Sequence, residues 1–218
     1  MDSLGIRCLR FMENEMNNGV TCNPKLPATP RVKEYFSVCV RNINGKEVPI
    51  GITQGNWCAA AISFSMHESL MPNEEMPHNY RVGCVEIQQD LQKSGNWFNA
   101  DFMKKKLAPL MLGDILITDR SNPKDPSTAW WRHILRVSKV NPDDSFECIS
   151  GNSTGGQFRI SKHKLTDSNI VGFGLIDSRE IKTLGVMHND KFPTKEEDLN
   201  PDTSSFYDLY DDIMNNIK

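Results

Sequence analysis

Apolar residues recur along the chain in two rhythms, and the rhythm changes near Gly113. Before it the spacing is helical. Residues 31–40 put Val32, Tyr35, Phe36 and Cys39 on one face, behind a Thr29 cap and a first-turn Pro30. Residues 57–70 are small and apolar around most of the circumference, which predicts a helix buried on nearly all sides. Residues 80–93 read as an amphipathic helix stopped at Ser94-Gly95, and residues 100–107 as a shorter one ending before Pro109. After Gly113, short β-type runs alternate with turn residues, at 114–118, 134–140, 146–150, 157–161 and 170–176. Asn141-Pro-Asp-Asp144 and Asn152-Ser-Thr-Gly-Gly156 supply hairpin turns. Helices first and strands second predict an α+β domain, its helices packed on an antiparallel sheet of about five strands.

The ends differ from this middle. Residues 1–29 are rich in Asn, Met and Pro with weak periodicity and read as an irregular lead-in to a domain spanning 30–180. Residues 45–55 read as a loop. Residues 181–218 read as an acidic linker and a C-terminal helix, with Phe206, Leu209, Tyr210, Ile213 and Ile217 at helical spacing as a surface for another protein. Charge follows the same division: of a net −3, residues 190–218 carry eight acidic groups against Lys191, Lys195 and Lys218. No Lys/Arg-dense stretch with interleaved aromatics appears, so nucleic acid is not an expected partner, and Lys104 to Lys106 reads as a solvated helix end. No apolar run approaches the roughly 18 residues of a membrane span, and no secretory leader is recognisable, so synthesis in a cytoplasm is expected.

Six cysteines are spread without a CxxC pair or zinc-type spacing, and they read as reduced thiols, with Cys84 and Cys148 as core. His67 and His78 lie near Glu68, Glu74 and Glu75 without a His-Glu-x-x-His pattern, so neither metal nor cofactor is expected. Trp97 and Trp130 read as loop anchors.

Cys58 is the residue with a route to chemistry. A free thiol of pKa about 8.5 is only a few per cent ionised at neutral pH, so a cysteine nucleophile needs help. Placement in the first turn of a helix supplies one source, and a histidine from a neighbouring strand supplies another. His133 opens the strand that continues Ile-Leu-Arg-Val. A third group must then fix the imidazole. Asn152, just past the next strand, is the expected one, while Glu147 and Ser150 stay open because the register is not legible. Gln54, four residues before Cys58, places an amide near a developing oxyanion beside the Cys58 N–H.

Together, Gln54-Gly-Asn-Trp-Cys58-Ala-Ala-Ala-Ile-Ser-Phe, Gly113-Asp-Ile-Leu-Ile, His133-Ile-Leu-Arg-Val and Ser150-Gly-Asn-Ser153 resemble the core of CHAP and NlpC-type amidohydrolase/peptidases, in the branch common in phage lytic proteins. The resemblance covers about residues 30–177. It implies a papain-like fold with Cys58 as nucleophile, His133 as base, Asn152 as orienting group and Gln54 at the oxyanion, and no cofactor. It also implies cleavage of an amide in peptidoglycan, within the stem peptide or between it and the sugar, by a phage-encoded or tail-associated enzyme. Trp131-Arg132 stands where this group usually has a glycine before the histidine, and Ser150 stands where some members carry an acid. Trp57 and Trp131 flank the two reactive residues and are expected to line the substrate cleft, and the insertion 121–130 flanks it as a loop. Two other expectations use the same residues: a tail or baseplate component that keeps the fold but binds virion proteins, and a hydrolase acting on proteins.

Overall fold

A computed structural model describes residues 2–125, 128 and 131–179. The expected C-terminal helix and part of the insertion 121–130, residues 126, 127, 129 and 130, lie outside them. The first element corrects the sequence reading: residues 1–29 are not irregular throughout, because Leu4–Asn17 form helix α1. Its buried face is Leu4, Cys8, Leu9 and Met12, packed on a later helix. Its start is fixed locally by the Ser3 hydroxyl, which accepts from the Ile6 amide (3.5 Å), and by a tertiary contact. Asp177, far along the chain, accepts hydrogen bonds from Ser3 Oγ (2.6 Å) and from the Gly5 amide (3.0 Å), and so satisfies a first-turn donor that local sequence leaves open.

Helix α2 (Pro30–Ser37) forms behind Thr29 with Pro30 in its first turn, but the Thr29 side chain makes no cap hydrogen bond and the helix stops short of the expected residue 40, where a strand begins. Glu15 of α1, 4% exposed, joins the two helices by accepting from Arg31 Nη2 (2.7 Å) and from the Tyr35 hydroxyl. Burial works to raise the Glu15 pKa, but the hydrogen bonds from Arg31 and Tyr35 and the Arg31 charge overcome it and hold the carboxyl below its ordinary value. A carboxyl depressed in the folded state adds stability that is complete above its unfolded pKa and is lost as pH falls. Glu15→Gln is therefore expected to cost about 1–3 kcal/mol at neutral pH and less at a pH low enough to protonate the carboxyl in the folded state. Thermal melts at the two pH values check it; an equal loss at both contradicts it.

Residues 45–55 were expected as loop, yet strands β1 (Val40–Ile43) and β2 (Lys46–Pro49) form a hairpin across Asn44 and Gly45. Both turn residues have positive φ, 53° and 81°, the geometry that makes Asn-Gly a two-residue hairpin turn. Helix α3 (Cys58–Ser69) is buried continuously from Cys58 to Met66, as its composition predicts. Helix α4 (Cys84–Lys93) starts four residues later than the periodicity suggests, because the Glu86 side chain accepts from the Gly83 amide (3.0 Å) and fixes the helix start there.

The remaining elements are β3 (Trp97–Asn99), α5 (Ala100–Lys104), β4 (Ile115–Asp119), β5 (Arg132–Val140), β6 (Ser145–Ser153), β7 (Gln157–Lys164) and β8 (Ile170–Gly174). The fold is α+β. Its main sheet has six strands rather than five, in the order β3-β8-β4-β5-β6-β7, antiparallel throughout. Period-two alternation divides its core: Ile115, Ile117, Ile134 and Ile149 face α3, while Leu116, Leu135, Val137 and Cys148 form a second layer with Ala100 and Met103. Gly113 has φ +88°, and a Cβ there would lie 2.2 Å from the backbone of Gly5, so α1 and the start of β4 touch backbone to backbone. No helix among the described residues is long and apolar enough to cross a membrane.

Candidate active site

Cys58 is the first residue of α3, and Cys84 is the first residue of α4. Each sulfur thus lies at the positive end of a helix dipole, beside amides that have no partner within their helix. Trp57, the N-cap of α3, makes no side-chain cap, which leaves the first-turn amides uncapped. The two sulfurs are 3.7 Å apart.

His133 reaches this point because two strands part. β5 and β6 pair from Val140–Phe146 as far as Arg136–Ile149, and there their ladder stops, while β6 continues along β7 to Ser153. The opening leaves the Ile134 amide free to face the Cys58 sulfur. Across the same opening His133 Nε2 meets Ser150 Oγ at 3.0 Å, and Ser150 Oγ meets Ser153 Oγ at 2.8 Å. Holding Nε2 on a hydroxyl leaves Nδ1 as the nitrogen for Cys58. Cys58 is 6% exposed and His133 2%, so the pair is nearly dry.

The charge distribution follows from these neighbours. The Cys84 thiol, donating to the Cys58 sulfur, is the largest cause of a Cys58 pKa well below the usual thiol value; burial opposes it, and the His133 imidazole and the Ile134 amide add to it. Cys84 moves the opposite way, pushed well up by the neighbouring Cys58 sulfur and then by burial. Of the two thiols, Cys58 gives up its proton first. The Arg120 charge acts favourably on both sulfurs.

Several expectations change here. Asn152 does not orient His133: with φ 53° it turns its amide to Asn56, donating from Nδ2 to Oδ1 at 2.9 Å, and Ser150 holds the ring instead. Glu147 lies further along β6, opposite Lys139. Trp57 is not a cleft residue; it is fully buried, its Nε1 donates to the Cys22 carbonyl (3.0 Å) and its ring packs edge-on to Phe158. Gly151 exists for that ring, because a Cβ there would lie 2.3 Å from Trp57 Cζ3. Trp131 is 48% exposed beside β5, so of the two tryptophans it is the one a ligand can meet. Gln54 sits partly exposed in the loop before α3, and its amide makes no hydrogen bond among the described residues.

Cys84 and Arg120 are the site residues that sequence reasoning missed. The signal for Cys84 was the Gly83-Cys84-x-Glu86 helix start, which matches the position of Cys58 in its own helix. No group of three His, Cys, Asp or Glu among the described residues is arranged to hold a metal ion. No protein-family model, curated protein or solved structure matches this chain.

Proposed function

We propose that the protein is a papain-like cysteine hydrolase that cleaves an amide bond of bacterial peptidoglycan, within the stem peptide or between it and the glycan. One observation carries the class: Cys58, at a helix start, meets His133, whose far nitrogen is held by Ser150. The Cys58 thiolate attacks the amide carbonyl, and the oxyanion faces the Cys58 N–H with the uncommitted Gln54 amide four residues upstream. The His133 imidazolium gives its proton to the leaving amine. It then takes one from the water that hydrolyses the thioester. The substrate class rests on the likeness of the Cys58, His133 and Ser150 segments and the Gly113-Asp-Ile-Leu-Ile strand to CHAP and NlpC-type enzymes. Phage-borne delivery, by lysis or in the virion, and a C-terminal segment contacting virion proteins belong to the same reading.

The near-complete burial of Cys58 and His133 favours a second reading, a virion component that keeps the architecture without turnover. Incubation of the full chain with purified sacculi decides between them. New amino termini and soluble muropeptides are expected, and their masses identify the bond. Intact sacculi with a fast-alkylating Cys58 would remove the wall as substrate. A Cys58 that alkylates no faster than the other five cysteines would remove the hydrolase class and leave the structural reading.

A further inference from the structure

We propose that Cys84 is a resolving cysteine, so that peroxide oxidation of Cys58 ends in a reversible Cys58–Cys84 disulfide. The geometry is specific to this pair. A disulfide sulfur pair is about 2.05 Å apart, so from 3.7 Å the two sulfurs need to approach by less than about 2 Å. Both side chains project from the first residue of a helix, where side-chain rotation is less confined than in a helix interior. Cys84 is also partly exposed, whereas Cys8, Cys22, Cys39 and Cys148 are buried. Burial pushes the Cys39 thiol up to about 12 and the Cys148 thiol well above the usual value; Cys84 is raised as well, but first by the Cys58 thiolate, a cause that is removed once Cys58 is oxidised.

The chemistry balances with a hydroperoxide as oxidant. The Cys58 thiolate attacks one peroxide oxygen, the O–O bond breaks, and Cys58 becomes a sulfenic acid with hydroxide released. The Cys84 sulfur then attacks the Cys58 sulfur. The S–S bond forms, the S–O bond breaks, and the Cys84 proton leaves with the hydroxyl as water. A dithiol reductant returns both thiols by exchange and is itself oxidised to a disulfide. Without a partner at this distance, sulfenic acid proceeds to sulfinic and sulfonic acids, which reductant does not reverse. On the hydrolase reading the disulfide masks the nucleophile and preserves it; the bond itself depends only on Cys58 and Cys84.

Peptide mapping under non-reducing conditions tests this on the full chain treated with hydrogen peroxide. A linked Cys58–Cys84 peptide is expected, and dithiothreitol should recover at least about tenfold more Cys58 thiol in the wild type than in Cys84→Ser. Dimedone should trap the sulfenic acid in Cys84→Ser. The proposal is overturned by a wild-type Cys58 that reaches sulfinic acid as fast as in the variant with no linked peptide, or by one that stays a thiol. Should Cys84→Ser fail to fold, the linked wild-type peptide decides alone. A sacculus digest in parallel separates the two claims: linkage without digestion sinks only the hydrolase reading, and digestion without linkage sinks only this one.

Discussion

On the proposed hydrolase reading, Cys58→Ala is expected to abolish sacculus digestion, with a rate loss of about 10^4–10^6-fold, and His133→Ala to lose nearly as much, because a nucleophile and its base act as one unit. Thiol chemistry separates that loss from misfolding. At pH 6 an ordinary thiol of pKa about 8.5 is roughly 0.3% thiolate, whereas a thiol held well below that value is ionised to a much larger extent. Iodoacetamide at pH 6 is therefore expected to label Cys58 at least about tenfold faster than the other cysteines. His133→Ala removes one cause of the depressed pKa but leaves the Cys84 donor and the Ile134 amide. Labelling at pH 6 should consequently fall several-fold without vanishing, and its pH midpoint should move up. A midpoint unchanged by His133→Ala would mean that the imidazole does not act on the sulfur.

How far this site was legible depended on whether the information was local. Cys58 announced itself through a small, apolar run behind a glycine-containing loop, and His133 through its place at the head of a β-type run. The third group was not legible, because it depends on where the β5–β6 ladder ends. Continuous pairing would carry the strands side by side to His133; stopping at Arg136–Ile149 leaves Ser150 facing the imidazole and sends Asn152 to Asn56. Cys84 escaped notice because the apolar pattern of residues 80–83 extends a helix that Glu86 in fact starts at Cys84. Trp57 is misleading for a related reason: it precedes the candidate nucleophile, yet its own ring is committed to Phe158, Cys22 and the space above Gly151.

Helix α1 shows the same limit on the scale of the fold. Its apolar positions are diluted by Asn, Glu and Arg; Ser3 caps its start locally by accepting from the Ile6 amide, but the partner of the Gly5 amide is Asp177, which no window of local sequence contains. The Asn44-Gly45 hairpin was legible in principle, since its turn chemistry is local. The three-residue β3 was not, because only pairing with β8 makes it a strand.

The segment after β8 also holds the main stability prediction. Asp114, in the Gly113-Asp114 pair that opens β4, is 1% exposed, and its carboxylate accepts from Arg179 Nη1 and Nη2, both at 2.6 Å, and from the Met111 amide at 2.8 Å. The Arg179 side chain is 4% exposed and adds bonds to the Pro109 and Asp177 carbonyls. Asp114→Ala leaves a buried guanidinium without its counter-charge, and losses of this kind run to about 3–5 kcal/mol. For a domain of this size that lowers Tm by about 6–20 °C. The clasp also positions Asp177, which caps α1, so the first turn of α1 should lose amide-exchange protection before the sheet does. Joint replacement by Asp114→Leu and Arg179→Met removes both charges, and it is expected to recover much of the single-variant loss. Urea melts of the three proteins check the order. If the double variant is no more stable than Asp114→Ala, the single-variant loss comes from packing around Asp114 rather than from a stranded charge.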